Sequence, residues 1–251
     1  MSLSASPVIF DPIRTRANYA RAEQRQSGPD AARYLLDHAR DELAERLAFM
    51  NFVADRSLMI ADLGGIVAAA LADRSATVDR LTPSSHDLEQ PIGTELYDLI
   101  VDCGSLATIN DVPAALMHWR EALKPGGLFI AFLIGAGSLP VIRSAMLASD
   151  PDRPAPRVHP QIDSPTASAL LARAGYRRYV VDRSDLQVGY RSLGRLVADL
   201  RDQGLGNALA LNAPPLTREA VGRAEAALAD YAVAGRTVET FELITMTGWK
   251  G

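Results

Sequence analysis

The sequence predicts an α/β fold, a doubly wound parallel sheet with helices on both faces and a helical extension at the N-terminus. Apolar segments alternate with helix-spaced segments from residue 58 onward, which is the order of a parallel sheet with crossover helices. Asp62-Leu63-Gly64-Gly65 ends the first of these segments in a glycine turn, while residues 8–56 carry no strand pattern. Such sheets bind ligands at the carboxyl ends of their strands.

Composition narrows the class of protein. The chain has 251 residues, of which 48% are hydrophobic and 22% charged, which is typical of one large domain with a sizeable core. A net charge of -4 with thinly spread basic residues argues against nucleic-acid binding. Cys103 is the only cysteine, which favours a reducing compartment. No apolar run approaches the roughly 18 residues of a membrane span, and no signal-peptide pattern is present. We therefore expect a cytoplasmic protein without a membrane span.

The first half of the chain is predicted to begin with a helix and to continue with alternating strands and helices. Asp30 is placed to cap a helix over residues 31–54, in which apolar residues recur at helical spacing. A second helix is predicted over residues 66–71, and Asp111 is placed to cap a third that ends at Leu123. Strands are predicted over residues 58–63, 76–81 and 96–103.

The second half begins with Lys124-Pro125-Gly126-Gly127, a turn sequence because proline presets φ and glycine accepts a positive φ. Residues 150–165 contain five prolines and are predicted to form an irregular loop that covers a site. Strands are predicted over residues 128–134, 179–182 and 238–246, and helices over 138–147, 164–174, 193–203 and 217–234. We divide the chain into an N-terminal helical extension, 1–56, and a domain, 57–251, with a helical cover near 190–235.

Several short motifs, taken in their order along the chain, resemble class I S-adenosylmethionine-dependent methyltransferases. They include Tyr97-Asp98-Leu99-Ile100-Val101, Leu123 to Phe129, Arg157-Val158, Leu171 to Tyr176, Val188-Gly189-Tyr190, Asp199-Leu200-Arg201, Thr240-Phe241-Glu242 and Thr247-Gly248-Trp249. The similarity is greatest to the branch of the complex I assembly-factor proteins, their alphaproteobacterial relatives and the malonyl carrier-protein methyltransferase of biotin synthesis. Ile9-Phe10-Asp11 with the arginines that follow resembles that branch's basic N-terminal helix. The resemblance implies a Rossmann-like, seven-stranded sheet and S-adenosylmethionine as cofactor.

The resemblance also implies which residues contact the cofactor. They are Asp62, Gly64 and Gly65 in the glycine turn, Asp79 at the ribose, and Asp87 and Leu88 near the adenine. Cys103 and Ser105 are added because they follow a predicted strand and so lie at the same rim of the sheet. Glycines are needed because the backbone turns sharply and approaches the ligand without a Cβ. The turn is shorter than the family pattern, and the β-branched Ile66 and Val67 stand where small residues are usual. The alternative is a tight strand-to-helix turn without a ligand.

The other cofactor positions also have alternatives. The alternative for Asp79 is a solvent-exposed position at the end of a strand, beside Arg80. The alternative for Asp87 is a position in a loop that binds no ligand. Cys103 is interpreted as a small packed side chain and not as a nucleophile, because no histidine that could activate it is near it in sequence. Ala107-Thr108 stand where the family commonly has a His-Trp pair.

For the acceptor substrate, the resemblance points to Arg157, Tyr190 and Asn207, and His159 is added because it lies beside Arg157 in the proline-rich loop. His159 is otherwise an ordinary loop histidine, and the four histidines lack metal-ligand spacing, so no metal site is predicted. No catalytic residue is assigned, because methyl transfer depends largely on placing the acceptor in line.

Two functions follow. The first is an S-adenosylmethionine-dependent methyltransferase acting on a small acid or carrier-bound acyl group, or an arginine hydroxylase of a respiratory subunit. The second is a binding or assembly protein of the same fold that has lost the cofactor. Side chains of Ile66 and Val67 filling the cofactor's space would favour the second. The expected partner is a small molecule or a carrier protein, and the N-terminal helix is a candidate for pairing two copies.

Overall fold

A computed structural model describes residues 8–152, 155–211 and 213–251. The helices are α1 (Pro12–Gln26), α2 (Tyr34–Phe49), α3 (Val112–Ala122), α4 (Pro140–Ser149), α5 (Ser164–Arg173), α6 (Leu193–Asp202) and α7 (Arg218–Ala229). The strands are β1 (Ala54–Ile60), β2 (Ser75–Leu81), β3 (Tyr97–Asp102), β4 (Leu123–Ile134), β5 (Arg177–Tyr190), β6 (Ala232–Val233) and β7 (Arg236–Trp249).

These strands form one seven-stranded sheet in the order β2-β1-β3-β4-β7-β5, with β6 paired to β7. The predicted α/β fold is confirmed, and β1 to β4 are parallel. The prediction of an entirely parallel sheet is wrong at β7, which runs antiparallel to both β4 and β5. The chain enters β7 from β6 through Ala234 and Gly235, whose φ values are 50° and 73°. A two-residue turn with positive φ at both positions reverses the chain, so β7 enters as a hairpin strand.

The N-terminal segment forms two helices, and α1 is the basic helix that the resemblance implies. The second helix differs from its prediction, because α2 begins four residues after Asp30, with Arg33 at its N-cap and no side-chain cap. The helix stops at Phe49 because Asn51 takes a left-handed conformation with φ of 49°, which asparagine tolerates. In α1, Asp11 accepts hydrogen bonds from the backbone of the first turn. Because α1 contacts α6 and the glycine turn, it is packed against its own domain.

Two other elements differ from prediction. The helix expected over residues 66–71 is a short 3₁₀ helix, Val67–Leu71. A 3₁₀ turn, Leu63–Gly65, precedes it, and both of its glycines have positive φ, 65° and 72°. The strand expected over 179–182 is the fourteen-residue β5. β5 is an edge strand rich in charged, exposed side chains, which protect an edge but weaken the apolar pattern.

Two apolar cores hold these layers together. The larger core packs α2, α3 and α5 on the sheet around Leu43, Trp119 and Phe129, all fully buried. The second core joins α4, α6 and α7 to the ends of β5 and β7 through residues such as Leu196 and Phe241. In the proline-rich segment, residues 150–152 and 155–163 contain no helix or strand, as predicted, and α5 begins at Ser164. None of the described helices combines the length and apolarity needed to cross a bilayer.

Candidate functional site

A cavity of about 560 Å³ lies at the carboxyl ends of β1 and β3. Ala61 and Leu63 line it from the end of β1, and the segment Cys103-Gly104-Ser105 lines it from the end of β3. One face of α1, the segment from α6 to Ala208, and residues of α4, of the proline-rich segment and of α7 form the rest of its wall. The location is the one expected for an α/β sheet, and the volume suits a small organic ligand.

The glycine turn lies beside this cavity, and hydrogen bonds within the chain hold it in place. The buried Asp62 carboxylate accepts hydrogen bonds from the backbone N–H groups of Val67 at 3.0 Å and Ala68 at 2.9 Å. Burial raises the pKa of Asp62, and these hydrogen bonds oppose that rise. The Asp62 carbonyl accepts from the Tyr19 hydroxyl at 3.3 Å and from the Arg80 guanidinium. The polar groups of Asp62 are therefore used within the chain.

The glycines themselves do not line the cavity. Gly64 approaches α1 so closely that a Cβ built on it would lie 3.6 Å from the Cβ of Gln26. Val67 is buried in the larger core and Ile66 packs against it, and neither lines the cavity. The two β-branched side chains therefore do not fill this space.

Asp79 is also placed away from the cavity. It lies within β2 opposite Leu58, and its carboxylate pairs with Arg56, whose Nε is 2.8 Å and Nη2 2.7 Å from Oδ2. The residue near the end of β2 that does line the cavity is Pro83. Asp87 and Leu88 line a separate space of about 50 Å³ next to it. Thus none of the predicted ribose and adenine residues reaches the main cavity.

Cys103 and Ser105 both line the cavity. The Ser105 hydroxyl and backbone N–H donate to Oδ1 of the buried Asp102, and Leu106 N–H donates to Oδ2 at 3.3 Å. Burial raises the pKa of Asp102 to about 6, while these hydrogen bonds lower it. Burial also raises the pKa of the Cys103 thiol well above its ordinary value, so it stays protonated and unreactive at neutral pH.

Three of the four predicted acceptor-site residues, Arg157, His159 and Asn207, line the cavity. The Ala208 N–H donates to His159 Nε2 at 2.8 Å, which places the proton of the neutral ring on Nδ1. Burial lowers the pKa of His159 to about 4, so the ring is neutral at physiological pH. Tyr190 does not line the cavity; its hydroxyl is 2.6 Å from that of Tyr34, inside the second core.

The structure adds cavity residues that the sequence analysis did not assign. Thr15, Asn18 and Tyr19 occupy one face of α1, at spacings of three and four residues. The resemblance implied a helix here but singled out only its arginines, so the spacing of these uncharged residues is the signal that could have identified them. Gln203 and Arg201, at the end of α6, also line the cavity. Within the described residues, no cluster of side chains suits a metal ion.

Comparisons with known proteins agree with this architecture. No family model matches the chain. It is similar to the mitochondrial arginine hydroxylase NDUFAF5 of Danio rerio, with 27% identity over 224 residues, covering 86% of this chain and 65% of that protein. It is also similar to malonyl-[acyl-carrier protein] O-methyltransferase of Xylella fastidiosa, with 31% identity over 141 residues, covering 56% of this chain and 46% of that protein. The chain therefore spans less than two thirds of these relatives.

Solved structures share the fold. The YcgJ protein of Bacillus subtilis has a TM-score of 0.56 at 13% identity, covering 85% of this chain and 98% of that one. A Burkholderia thailandensis 1,6-didemethyltoxoflavin-N1-methyltransferase, solved with S-adenosylhomocysteine, has a TM-score of 0.50 at 12% identity, covering 100% of this chain and 92% of that one. At these identities the likeness establishes the fold.

Proposed function

We propose that this chain, which belongs to the class I methyltransferase superfamily in the branch of these relatives, binds S-adenosylmethionine in its cavity and methylates a small acid or carrier-bound acyl group. The observation that carries the proposal is the 560 Å³ cavity at the carboxyl ends of β1 and β3, walled by α1 and α6. The relatives named as malonyl-carrier-protein methyltransferases support an acyl acceptor. Those named as arginine hydroxylases make a protein arginine the alternative substrate.

The residues present fit one half of this cofactor. Its amino-acid end suits the space beside Ala61, Leu63 and the Cys103-to-Ser105 segment, where the Tyr19 and Gln203 side chains also line the wall. The nucleoside half lacks the family's ribose contact, because Asp79 is paired with Arg56 outside the cavity. We therefore propose Cys103 and Ser105 as cofactor-site residues, with Asp62, Gly64 and Gly65 shaping the wall behind them.

For the acceptor we propose Arg157, His159 and Asn207, and not Tyr190. S-adenosylmethionine, when bound, supplies a methyl group already activated on a sulfonium. What the chain contributes is placement and exclusion of water, which is the larger part of catalysis when no proton transfer is required to activate the donor. The neutral His159 ring offers an Nδ1–H donor, and Arg157 a guanidinium, to an acidic or carbonyl acceptor.

The second candidate is a binding or assembly protein that has lost the cofactor. One specific observation favours it: the Asp62 and Asp79 carboxylates, implied as cofactor contacts by the resemblance, are both satisfied within the chain. In this case the same cavity binds another ligand and no methyl group is transferred.

Isothermal titration of the purified protein with S-adenosylmethionine and S-adenosylhomocysteine separates the two candidates. The first predicts saturable binding at micromolar concentrations, with ATP as a control nucleotide that does not bind. Absence of heat and of a thermal shift at millimolar concentrations of either compound would remove the methyltransferase proposal and leave the second candidate.

A cytoplasmic location, the lack of nucleic-acid binding and a homodimer stay predictions. The argument for a homodimer is weakened, because α1 packs on the glycine turn and α6 of its own chain. Light scattering behind a sizing column measures the oligomeric state directly.

A further inference from the structure

β5 is the last strand of the sheet, and no other strand of the described structure covers its outer edge. It pairs with β7 alone, in a regular register from Val180 to Tyr190. Most of its side chains are exposed. An uncovered strand of this length presents a row of backbone donors and acceptors, so another strand can pair with it.

The backbone groups on this free edge belong to the odd-numbered residues of β5. The Glu242 carbonyl in β7 accepts from the backbone N–H that follows β4, at 2.7 Å, so the backbone of Glu242 faces β4. The next residue, Leu243, therefore faces β5 and its register partner Ser184. Because this direction alternates along a strand, the N–H and C=O groups of Arg183 and Asp185 point to the free edge.

The charges at the centre of the edge complement a second copy of the same strand. A twofold axis through Ser184 places Arg183 of each copy opposite Asp185 of the other, which gives two ion pairs. Registers centred on Asp182, Arg183 or Asp185 instead place like charges opposite each other, which is unfavourable. In the register centred on Ser184, about eight backbone hydrogen bonds would form over residues 181–187 of the two copies.

Charged side chains on an edge strand usually prevent it from pairing with other chains. The order Arg183-Ser184-Asp185 prevents pairing selectively, because a foreign strand leaves both charges without partners while a second copy neutralises them. The chemistry of the edge therefore favours this chain itself as the partner.

The same register covers apolar surface that is exposed in the single chain. Tyr179 is 40% exposed, and Val238, opposite Gly189 in the β5–β7 pair, is 46% exposed. Gly189 has no side chain to cover that valine, and the Arg236 side chain lies beside it. Tyr179 of the second copy would lie opposite Gly189, where its ring can cover the glycine and stack on the Arg236 guanidinium.

We propose that the free edge of β5 is a dimerisation surface, on which a second copy of this chain pairs antiparallel about Ser184 and joins the two sheets into one. Dimerisation at β5 involves neither cofactor nor acceptor, so it goes beyond the proposed function and does not depend on it. β4 and β7 separate β5 from β3, so the surface lies apart from the ends of β1 and β3, and it does not use α1.

Light scattering behind a sizing column tests the dimer over two orders of magnitude in protein concentration. We expect a mass that rises to twice that of the chain. Arg183→Asp alone and Asp185→Arg alone each place like charges opposite each other, so each should raise the dimer dissociation constant at least tenfold. The two substitutions together restore opposite charges, and the constant should return to within threefold of the parent. A monomer at every concentration, or a dimer that tolerates both single substitutions, would overturn the proposal.

A matched control separates the position of the charge from its sign. Arg218→Asp makes the same change at an exposed residue in the first turn of α7 and should leave the dissociation constant unchanged. Thermal midpoints are compared because Arg183 Nε lies 3.3 Å from the Glu242 carboxylate. The double variant returns a guanidinium to position 185, which is opposite Glu242 in the sheet. An equal loss of dimer in Arg218→Asp would contradict the assignment to β5.

Cross-linking tests the register without changing a charge. Cβ atoms of directly opposite residues are about 4.5–5.5 Å apart, so Ser184→Cys should form a disulfide between two copies under mild oxidation. Gln187→Cys is the matched control, because its two copies would be roughly 20 Å apart. The parent should not cross-link, since burial raises the pKa of the Cys103 thiol. Equal cross-linking of Ser184→Cys and Gln187→Cys, or none in either, would overturn the pairing about Ser184.

Discussion

The two sides of the cavity treat their polar groups in opposite ways. On the β1–β2 side, Asp62 caps the turn that follows it, and Asp79 pairs with Arg56, so the carboxylates are satisfied by the chain. On the α1 and cover side, Arg157 and Thr15 keep buried polar atoms without partners, and Arg201 has no ion pair in the described structure. The first side therefore contributes to stability, and the second is the side on which we propose that a ligand binds.

This difference between the two sides shows that a motif can resemble that of a family without its residues having the same role. A glycine turn after an acidic residue predicts the fold well, because the turn requires positive φ at Gly64 and Gly65 wherever that chain path is used. It predicts ligand contact poorly, because the Asp62 carboxylate stabilises the turn by accepting backbone hydrogen bonds whether or not a ligand is bound. Substitutions on the first side should therefore change the free energy of unfolding, and those on the second side should change binding.

The largest effect is expected for Asp62→Ala. The substitution leaves the N–H groups of Val67 and Ala68 without an acceptor in a buried turn, which costs about 2–4 kcal/mol of the free energy of unfolding. Urea denaturation measures it, with Asp62→Asn, which retains one acceptor oxygen, expected to lose less. A loss below about 0.5 kcal/mol would show that the turn does not depend on this cap.

Acidification should lower the free energy of unfolding through protonation of His159. The folded-state pKa of about 4 lies below the ordinary 6.5, so the neutral ring stabilises the fold above pH 6.5, and this contribution is lost as the pH falls toward 4. After allowing for screening of a partly exposed ring, the loss is about 2 kcal/mol. Urea denaturation of the parent and of His159→Gln at pH 7.5 and 4.5 measures it. A parent that loses no more stability than the variant between those pH values would contradict the buried neutral ring.

A smaller effect is expected for Tyr190→Phe. The substitution removes the hydrogen bond with Tyr34 in the second core and should cost about 1 kcal/mol of the free energy of unfolding. Ligand affinity should stay within twofold, because Tyr190 lies outside the cavity. A tenfold loss of affinity with unchanged stability would instead support the role that the resemblance implied for this tyrosine.

The smallest effect is expected for Asp79→Asn. Its ion pair with Arg56 is partly exposed, so the free energy of unfolding should fall by less than about 1 kcal/mol. S-adenosylhomocysteine affinity should change less than twofold in calorimetric titration, with Arg56→Gln as the matched partner variant. A loss of affinity in Asp79→Asn alone would show that the carboxylate turns toward the ribose.

The sequence predicted elements with strong local patterns well, and it did not predict contacts between distant segments. The predicted β3, α3 and α5 lie within a residue or two of the structure, because buried strands and capped helices carry strong local patterns. The length of β5 was underestimated because most of its side chains are exposed and several are charged, which interrupts the apolar pattern of a strand. In the site, Arg157, His159 and Asn207, which the sequence suggested as acceptor contacts, line one cavity. The pairings Asp79–Arg56 and Tyr190–Tyr34 join distant segments, so no local pattern predicts them.

We propose that the cofactor's amino-acid end occupies the cavity at the carboxyl ends of β1 and β3 and is held independently of Asp79. Parallel titration of S-adenosylhomocysteine into the parent, Ala107→Phe and Asp79→Asn measures this. We expect micromolar binding to the parent and to Asp79→Asn, and at least tenfold weaker binding to Ala107→Phe, with Ala107→Ser behaving as the parent. Tight binding that survives Ala107→Phe but is lost in Asp79→Asn, or no binding to the parent at millimolar concentration, would contradict it.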